Sequence, residues 1–189
     1  MSRLVSLLLA TLLATGLVAG PVEDPAIAQT AAPGVDPGTK ISFPSSVAGT
    51  TLSRSSGSTY QYVAPSGMDI TIDVYDNGRR VPNGSSHPII INQFTEELEN
   101  IRQQAQQVGM SGFEKPSVPS ACTYGPWNLR CIAFSAAGGP TTGRIYGKFL
   151  LIGYREHFVK IIVRWTQVSG QSNADADKLL TTFVPALLH

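Results

Sequence analysis

The sequence predicts an α+β fold: an antiparallel sheet with two main helices packed on one face, a two-layer sandwich. Three observations carry it. Residues 68–75 (MDITIDVY) alternate apolar and polar side chains at the period of a half-buried strand. Residues 144–152 (RIYGKFLLI) and 158–166 (FVKIIVRWT) are two strand-like runs separated by a short loop, as in a hairpin. Two further stretches, near 88–108 and 172–188, space their apolar residues by threes and fours, the period of a helix that covers a sheet. Hairpin-connected strands with helices gathered on them make an α+β sandwich.

The chain of 189 residues opens with Arg3 ahead of an apolar run from Leu4 to about Val18, the n-region and h-region of a secretory signal peptide. The run is too short for a spanning helix, which needs about 20 apolar residues. Ala26-Ile27-Ala28 is the expected cleavage site, so residues 1–28 read as signal peptide, leaving no transmembrane segment and a periplasmic or secreted product. Residues 29–40 (QTAAPGVDPGTK) lack any period and read as a disordered leader. Residues 41–189 then form a single domain. Cleavage removes Arg3, Glu23 and Asp24 and moves the formal charge only from +1 to +2. So small a charge gives no support for nucleic-acid binding by bulk electrostatics, and no nucleic-acid partner is expected.

Taken in order, residues 59–64 (TYQYVA) form a first strand, joined across Pro65-Ser66-Gly67 to the strand at 68–75. Asp76-Asn77-Gly78 ends that strand in a turn. The first helix spans residues 88–108, with Ile91, Phe94, Leu98, Ile101, Ala105 and Val108 as its apolar stripe. Ser86 is the expected N-cap, Pro88 lies in the first turn and Gly109 stops the helix.

The only two cysteines lie in CTYGPWNLRC, residues 122–131. Export places them in an oxidising compartment. One pair cannot supply four zinc ligands, and the spacing is not C-x-x-C. A Cys122–Cys131 disulfide is the expected state, with free thiols or an intermolecular bridge as the alternatives. It would staple an irregular connection carrying Tyr124 and Trp127 at its tip.

A strand near residues 129–136 leads through AGGPTTG into the C-terminal hairpin, for which a five-residue loop, 153–157, is expected. Pairing Ile152 with Phe158 sets Ile145, Gly147, Phe149 and Leu151 opposite Trp165, Val163, Ile161 and Val159 as one apolar face. A slip of one residue would set Leu151 against Lys160 and Gly147 against Arg164. The opposite face then presents Arg144, Tyr146, Lys148, Leu150, Lys160, Ile162 and Arg164. The last helix starts at Ser172 or Asn173, with Asp175 and Asp177 in its first turn and Leu179, Leu180, Phe183 and Val184 inward. Pro185 ends or kinks it.

This order of elements resembles the PsbP/Mog1-like group of small domains, a likeness of architecture over most of residues 41–188 that implies no activity. At the level of residues, FPSSVAG (43–49), IDVYDNG (72–78) and VPNG (81–84) resemble a pattern in an uncharacterised family of exported bacterial proteins. That likeness implies bacterial export and adds no chemistry.

Catalytic and cofactor motifs are absent from the sequence. There is no G-x-S-x-G, S-x-x-K, H-E-x-x-H or EF-hand spacing. The three histidines, His87, His157 and His189, read as capping or solvated groups. Asp73, Asp76 and Asn77 read as a strand end and an Asx turn in preference to a calcium site, and Arg79-Arg80 as their neutralising partner. Asp69 and Asp73 stand about 13 Å apart by strand rise, too far for a glycosidase pair. AAGGP (136–140) leads into a strand and not into a helix N-terminus, so it is no phosphate loop.

One surface remains, the mixed face of the hairpin. Arg144, Tyr146, Lys148, Lys160 and Arg164 can hold an anionic or aromatic ligand, with Tyr124 and Trp127 of the stapled loop nearby. Leu150 and Ile162 on that face require cover by another segment or by a partner. The expected function is a non-enzymatic accessory or binding domain of the bacterial cell envelope, its partner an envelope protein or a small anionic ligand, with no metal and no cofactor. The alternatives are a secreted hydrolase whose site carries no motif and a structural assembly subunit.

Overall fold

The computed structural model describes residues 33–138 and 143–189. The expected signal peptide and residues 29–32 of the leader lie outside the described residues. Among the described residues, eleven strands and two α-helices follow in the order β1 (Gly34–Val35), β2 (Ser42–Phe43), β3 (Ser46–Val47), β4 (Thr50–Ser56), β5 (Thr59–Val63), β6 (Asp69–Tyr75), α1 (Pro88–Gln107), β7 (Ser111–Glu114), β8 (Ser120–Tyr124), β9 (Trp127–Ala137), β10 (Arg144–Tyr154), β11 (His157–Thr166) and α2 (Asn173–Leu187). Among the described residues, one antiparallel sheet runs β3-β4-β5-β6-β11-β10-β9-β7, with β8 also beside β9, and β1 pairs β2 in a separate ribbon.

The two helices do not share a face. Leu150 and Ile152 of β10 join Val159, Ile161 and Val163 of β11 in one cluster with Leu180, Phe183 and Val184 of α2. Phe149 and Leu151 join Phe158 and Ile132 in another with Ile90, Phe94 and Leu98 of α1. Successive residues of a strand point to opposite faces, so α1 and α2 cover opposite sides and the layers are helix, sheet, helix. The expected two-layer sandwich is corrected, and the reason is legible in Phe149-Leu150-Leu151-Ile152: a run apolar at every position belongs to a strand buried on both faces. Leu150 and Ile162 find their cover in different helices, Leu150 with α2 and Ile162 with the α1 cluster.

The hairpin register also differs from expectation. Tyr154 pairs with His157, so the loop is Arg155-Glu156 alone, and Leu151 faces Lys160 while Gly147 faces Arg164. Both loop residues have positive φ, 47° and 68°, the signature of a type I′ turn whose twist matches the flanking strands. The turn overrides the hydrophobic argument because the α1 face is not purely apolar: it supplies carboxylates for Lys160 and Arg164, and the Phe134 ring fills the space over Gly147.

Residues 33–40 are not a disordered leader. Asp36, 3 % exposed, accepts hydrogen bonds at Oδ1 from the Thr39 backbone and hydroxyl, and the β1–β2 ribbon carries Phe43 onto Tyr60, ring centroids 3.4 Å apart. A short polar side chain that caps its own turn gives this segment order without a hydrophobic period. The N-cap of α1 is His87 in place of Ser86, its Nδ1 accepting from the Ile89 N–H at 3.2 Å. α2 begins as expected, with Ser172 and Asp175 in a reciprocal capping box, but runs through Pro185 to Leu187.

The cysteine-bearing connection is regular. β8 and β9 form a hairpin turning at Gly125-Pro126, with Gly125 at φ 60°. Cys122 and Cys131 are joined across it, Cα atoms 5.9 Å apart, inside the normal disulfide range. Among the described residues no helix is long and apolar enough to cross a membrane.

Candidate functional site

The residues expected to form one basic face are divided by the observed register. Arg144, Tyr146 and Lys148 stand on the α2 face of β10, and Lys160 and Arg164 on the α1 face of β11. Each cation meets a carboxylate. Arg144 Nη1 lies 2.7 Å from Glu114 and Arg164 Nη2 2.7 Å from Asp69. Lys160 Nζ lies 2.8 Å from Asp73 and 3.1 Å from Glu97, and Lys148 is paired to Asp177. Tyr146 stacks on Trp165, ring centroids 6.0 Å apart.

Two of these cations, Lys148 and Lys160, belong to largely buried networks that dock the helices. On the α2 side, Asp177 accepts from both Lys148 and the Tyr124 hydroxyl. Burial pushes the Asp177 carboxyl up, but those hydrogen bonds outweigh it and hold it below its ordinary value. Burial and the same carboxylate push the Tyr124 phenol up. On the α1 side, Glu97 accepts from Tyr75, Gln93 and Lys160, and Asp73 accepts from Thr59. Burial pulls Lys160 down, but Asp73 and Glu97 more than offset it, so the ammonium stays charged. Tyr75 is pushed up by burial and by Glu97. A charged lysine and a neutral phenol supply neither a nucleophile nor a base near neutral pH.

Three segments instead converge on a cleft of about 550 Å³: the loop 83–86, the tip of the stapled hairpin at 126–128, and the end of β10 at 152–155. That volume falls within the range of small-molecule sites. Gly84 and Gly153 exchange N–H···O bonds of 2.8 Å, and a side chain at Gly153 would collide with the Pro82 carbonyl. Close backbone contact of this kind needs glycine. Trp127 lies edge-on to Tyr154, ring centroids 5.4 Å apart, and the Arg155 guanidinium lies over Tyr154 at 5.0 Å.

Asn83 Oδ1 accepts from the Arg155 N–H at 2.8 Å, Asn128 Oδ1 accepts from Thr123 at 2.6 Å, and Arg155 Nη1 donates to the Thr39 carbonyl at 2.8 Å. Among the described residues, the amide NH₂ groups of Asn83 and Asn128 and the hydroxyls of Ser85 and Ser86 make no side-chain hydrogen bond, and Arg155 has no carboxylate partner. The cleft therefore offers the Trp127 ring, set against the buried Tyr154, together with uncharged donors and one cation. Of the residues singled out in the sequence it contains Trp127. Tyr124 is buried against Asp177, outside it. Asn83, Ser85, Ser86, Asn128, Tyr154 and Arg155 carried no motif that would have found them.

The histidines are engaged elsewhere. His87 caps α1, and His157 hydrogen-bonds the Arg155 carbonyl through Nδ1 at 2.8 Å while its Nε2 stands 3.9 Å from Asp76. Among the described residues no hydrogen bond links a histidine to a serine. Asp76 accepts from the Gly78 N–H in the expected Asx turn, and no cluster of three or more His, Cys, Asp or Glu could hold a metal among the described residues. No protein-family model matches the chain, and no curated protein matches it.

Proposed function

We propose that this chain is a non-enzymatic exported binding domain of the bacterial cell envelope, and that its working surface is the Trp127–Tyr154 cleft. The observation that carries the reading is that cleft: about 550 Å³ lined by the Trp127 ring against the buried Tyr154, by four uncharged polar side chains whose donor groups have no internal acceptor, and by one cation free of a carboxylate. Export is supported by the N-terminal apolar run with its cleavage motif, by the disulfide, which suits an oxidising compartment, and by the likeness of the 43–84 segment to exported bacterial proteins.

A ligand suited to this lining is small and polar, has a flat apolar face for Trp127, and bears at most one negative charge for Arg155. Soluble glycan fragments of the envelope have that chemistry. The expected basic face is not one surface: Arg144, Tyr146 and Lys148 lie on the opposite side of the sheet from Lys160 and Arg164, and Arg144, Lys148 and Lys160 each already hold a carboxylate.

The test is calorimetric titration of the full chain and of Trp127→Ala and Asn128→Ala with soluble peptidoglycan fragments. Saturable binding by the wild type, weakened about tenfold or more in Trp127→Ala at unchanged melting temperature, supports the cleft. Equal binding by all three moves the surface elsewhere. Turnover of the fragments in place of binding overturns the non-enzymatic reading in favour of a hydrolase.

A further inference from the structure

The apolar stripe of α1 is longer than the sheet surface it covers. Its first half is buried, with Ile90 and Phe94 fully so, whereas Ile101 and Ala105 are half-buried and Val108 is 70 % exposed. The helix thus parts from the sheet toward its C-terminus and leaves a wedge of about 220 Å³. Ile101, Ala105 and Val108 of the helix and Phe134, Ile145 and Ile162 of the sheet line it, with Met110 and with Phe113 of β7, which stacks on Phe134. Apolar groups that face each other without closing remain available to an apolar guest.

Polar character is confined to Gln104 and Arg164. Arg164 donates to Asp69 through Nε and Nη2, at 2.9 and 2.7 Å, and through Nη2 to Thr71, while Nη1 makes no hydrogen bond among the described residues. Its side chain is 46 % exposed. The Gln104 side chain likewise makes no hydrogen bond among the described residues. An apolar slot with a guanidinium and an amide in its lining matches a hydrocarbon chain that ends in a carboxylate. An apolar cavity of about 150 Å³ takes one benzene ring, so on that scale the wedge takes a chain of about eight carbons.

We propose that the wedge between α1 and the sheet binds a single-chain carboxylate amphiphile, with its alkyl chain between Ala105 and Phe134 and its carboxylate on Arg164. This site lies at the opposite end of the β10–β11 hairpin from the Trp127 cleft and is independent of it.

Octanoate is the probe, titrated by calorimetry into the full chain beside octanol, which keeps the chain and lacks the charge, and butyrate, which keeps the charge and lacks the chain. Octanoate binds saturably, octanol about tenfold more weakly, and butyrate not measurably. Ala105→Phe, which fills the slot from the solvent-facing wall, and Arg164→Gln each weaken octanoate binding about tenfold or more, while Trp127→Ala leaves it unchanged. Near-ultraviolet circular dichroism confirms that the variants are folded, and Ala136→Val serves as a second filling variant if Ala105→Phe is not. No saturable octanoate binding, or unchanged affinity in a folded filling variant, overturns the site. Equal affinity for octanol and octanoate overturns the role of Arg164.

Discussion

Lys148 sits on a central strand with its side chain only 10 % exposed, bonded to Asp177 of α2 and lying over the Tyr124 ring at 5.8 Å. It reads as a surface cation only while the sheet is thought to have an open side, and the structure places α2 there. Removing one member of a buried ion pair leaves the other uncompensated. Because Asp177 is 46 % exposed and partly screened, Lys148→Ala is expected to cost about 1–2 kcal/mol in denaturant unfolding. The same pair sets a pH dependence. Asp177 titrates below its ordinary 3.8 in the folded chain, so its contribution is complete above that value and is lost as pH falls through the folded one. The stability gap between wild type and Asp177→Asn is therefore full near about pH 6 and narrows below about pH 4, as unfolding curves across that range will show. A gap that does not change with pH would remove Asp177 from the account.

The hairpins show where local pattern stops determining structure. The β5–β6 hairpin and both helices follow from alternation and spacing, because each has one clearly apolar side. The β10–β11 hairpin has two, so its hydrophobic pattern fits either register and the turn decides. Arg155 and Glu156 hold left-handed backbone that neither favours, which costs on the order of 1–2 kcal/mol per residue. Glu156→Gly is expected to stabilise the chain by about 1 kcal/mol, measured as a raised denaturant midpoint. The ion pair lost with it, Arg80–Glu156, is exposed and contributes little.

The β8–β9 hairpin presents Trp127 to the cleft and Tyr124 to α2, with the Cys122–Cys131 bond tying its two strands. Closing a loop this short stabilises by about 2–3 kcal/mol in the chain-entropy model. Cys122→Ser with Cys131→Ser should lower stability by that amount and also weaken binding in the cleft. Alkylation of the isolated protein without reductant should modify neither cysteine.

Across the whole molecule, the legible part was the inventory of elements and the illegible part was how they are layered. The sheet's two apolar faces were written in residues 149–152, but a single strand does not say which helix covers which side. Dividing Arg144, Tyr146 and Lys148 from Lys160 and Arg164 dissolved the expected site, since a one-residue change of register moves every side chain to the other face. The cleft was illegible for another reason: its lining comes from three segments distant in sequence, and asparagine, serine and tyrosine bear no spacing rule that would gather them.

The proposed working surface is the Trp127–Tyr154 cleft and not the basic residues of the sheet. Backbone amide chemical shifts recorded while soluble peptidoglycan fragments are titrated into the isotope-labelled chain test it directly. Saturable shifts confined to residues 83–86, 126–128 and 152–155 are expected. Shifts centred on Arg144, Tyr146 and Lys148, or on Lys160 and Arg164, with the cleft unmoved, would contradict it.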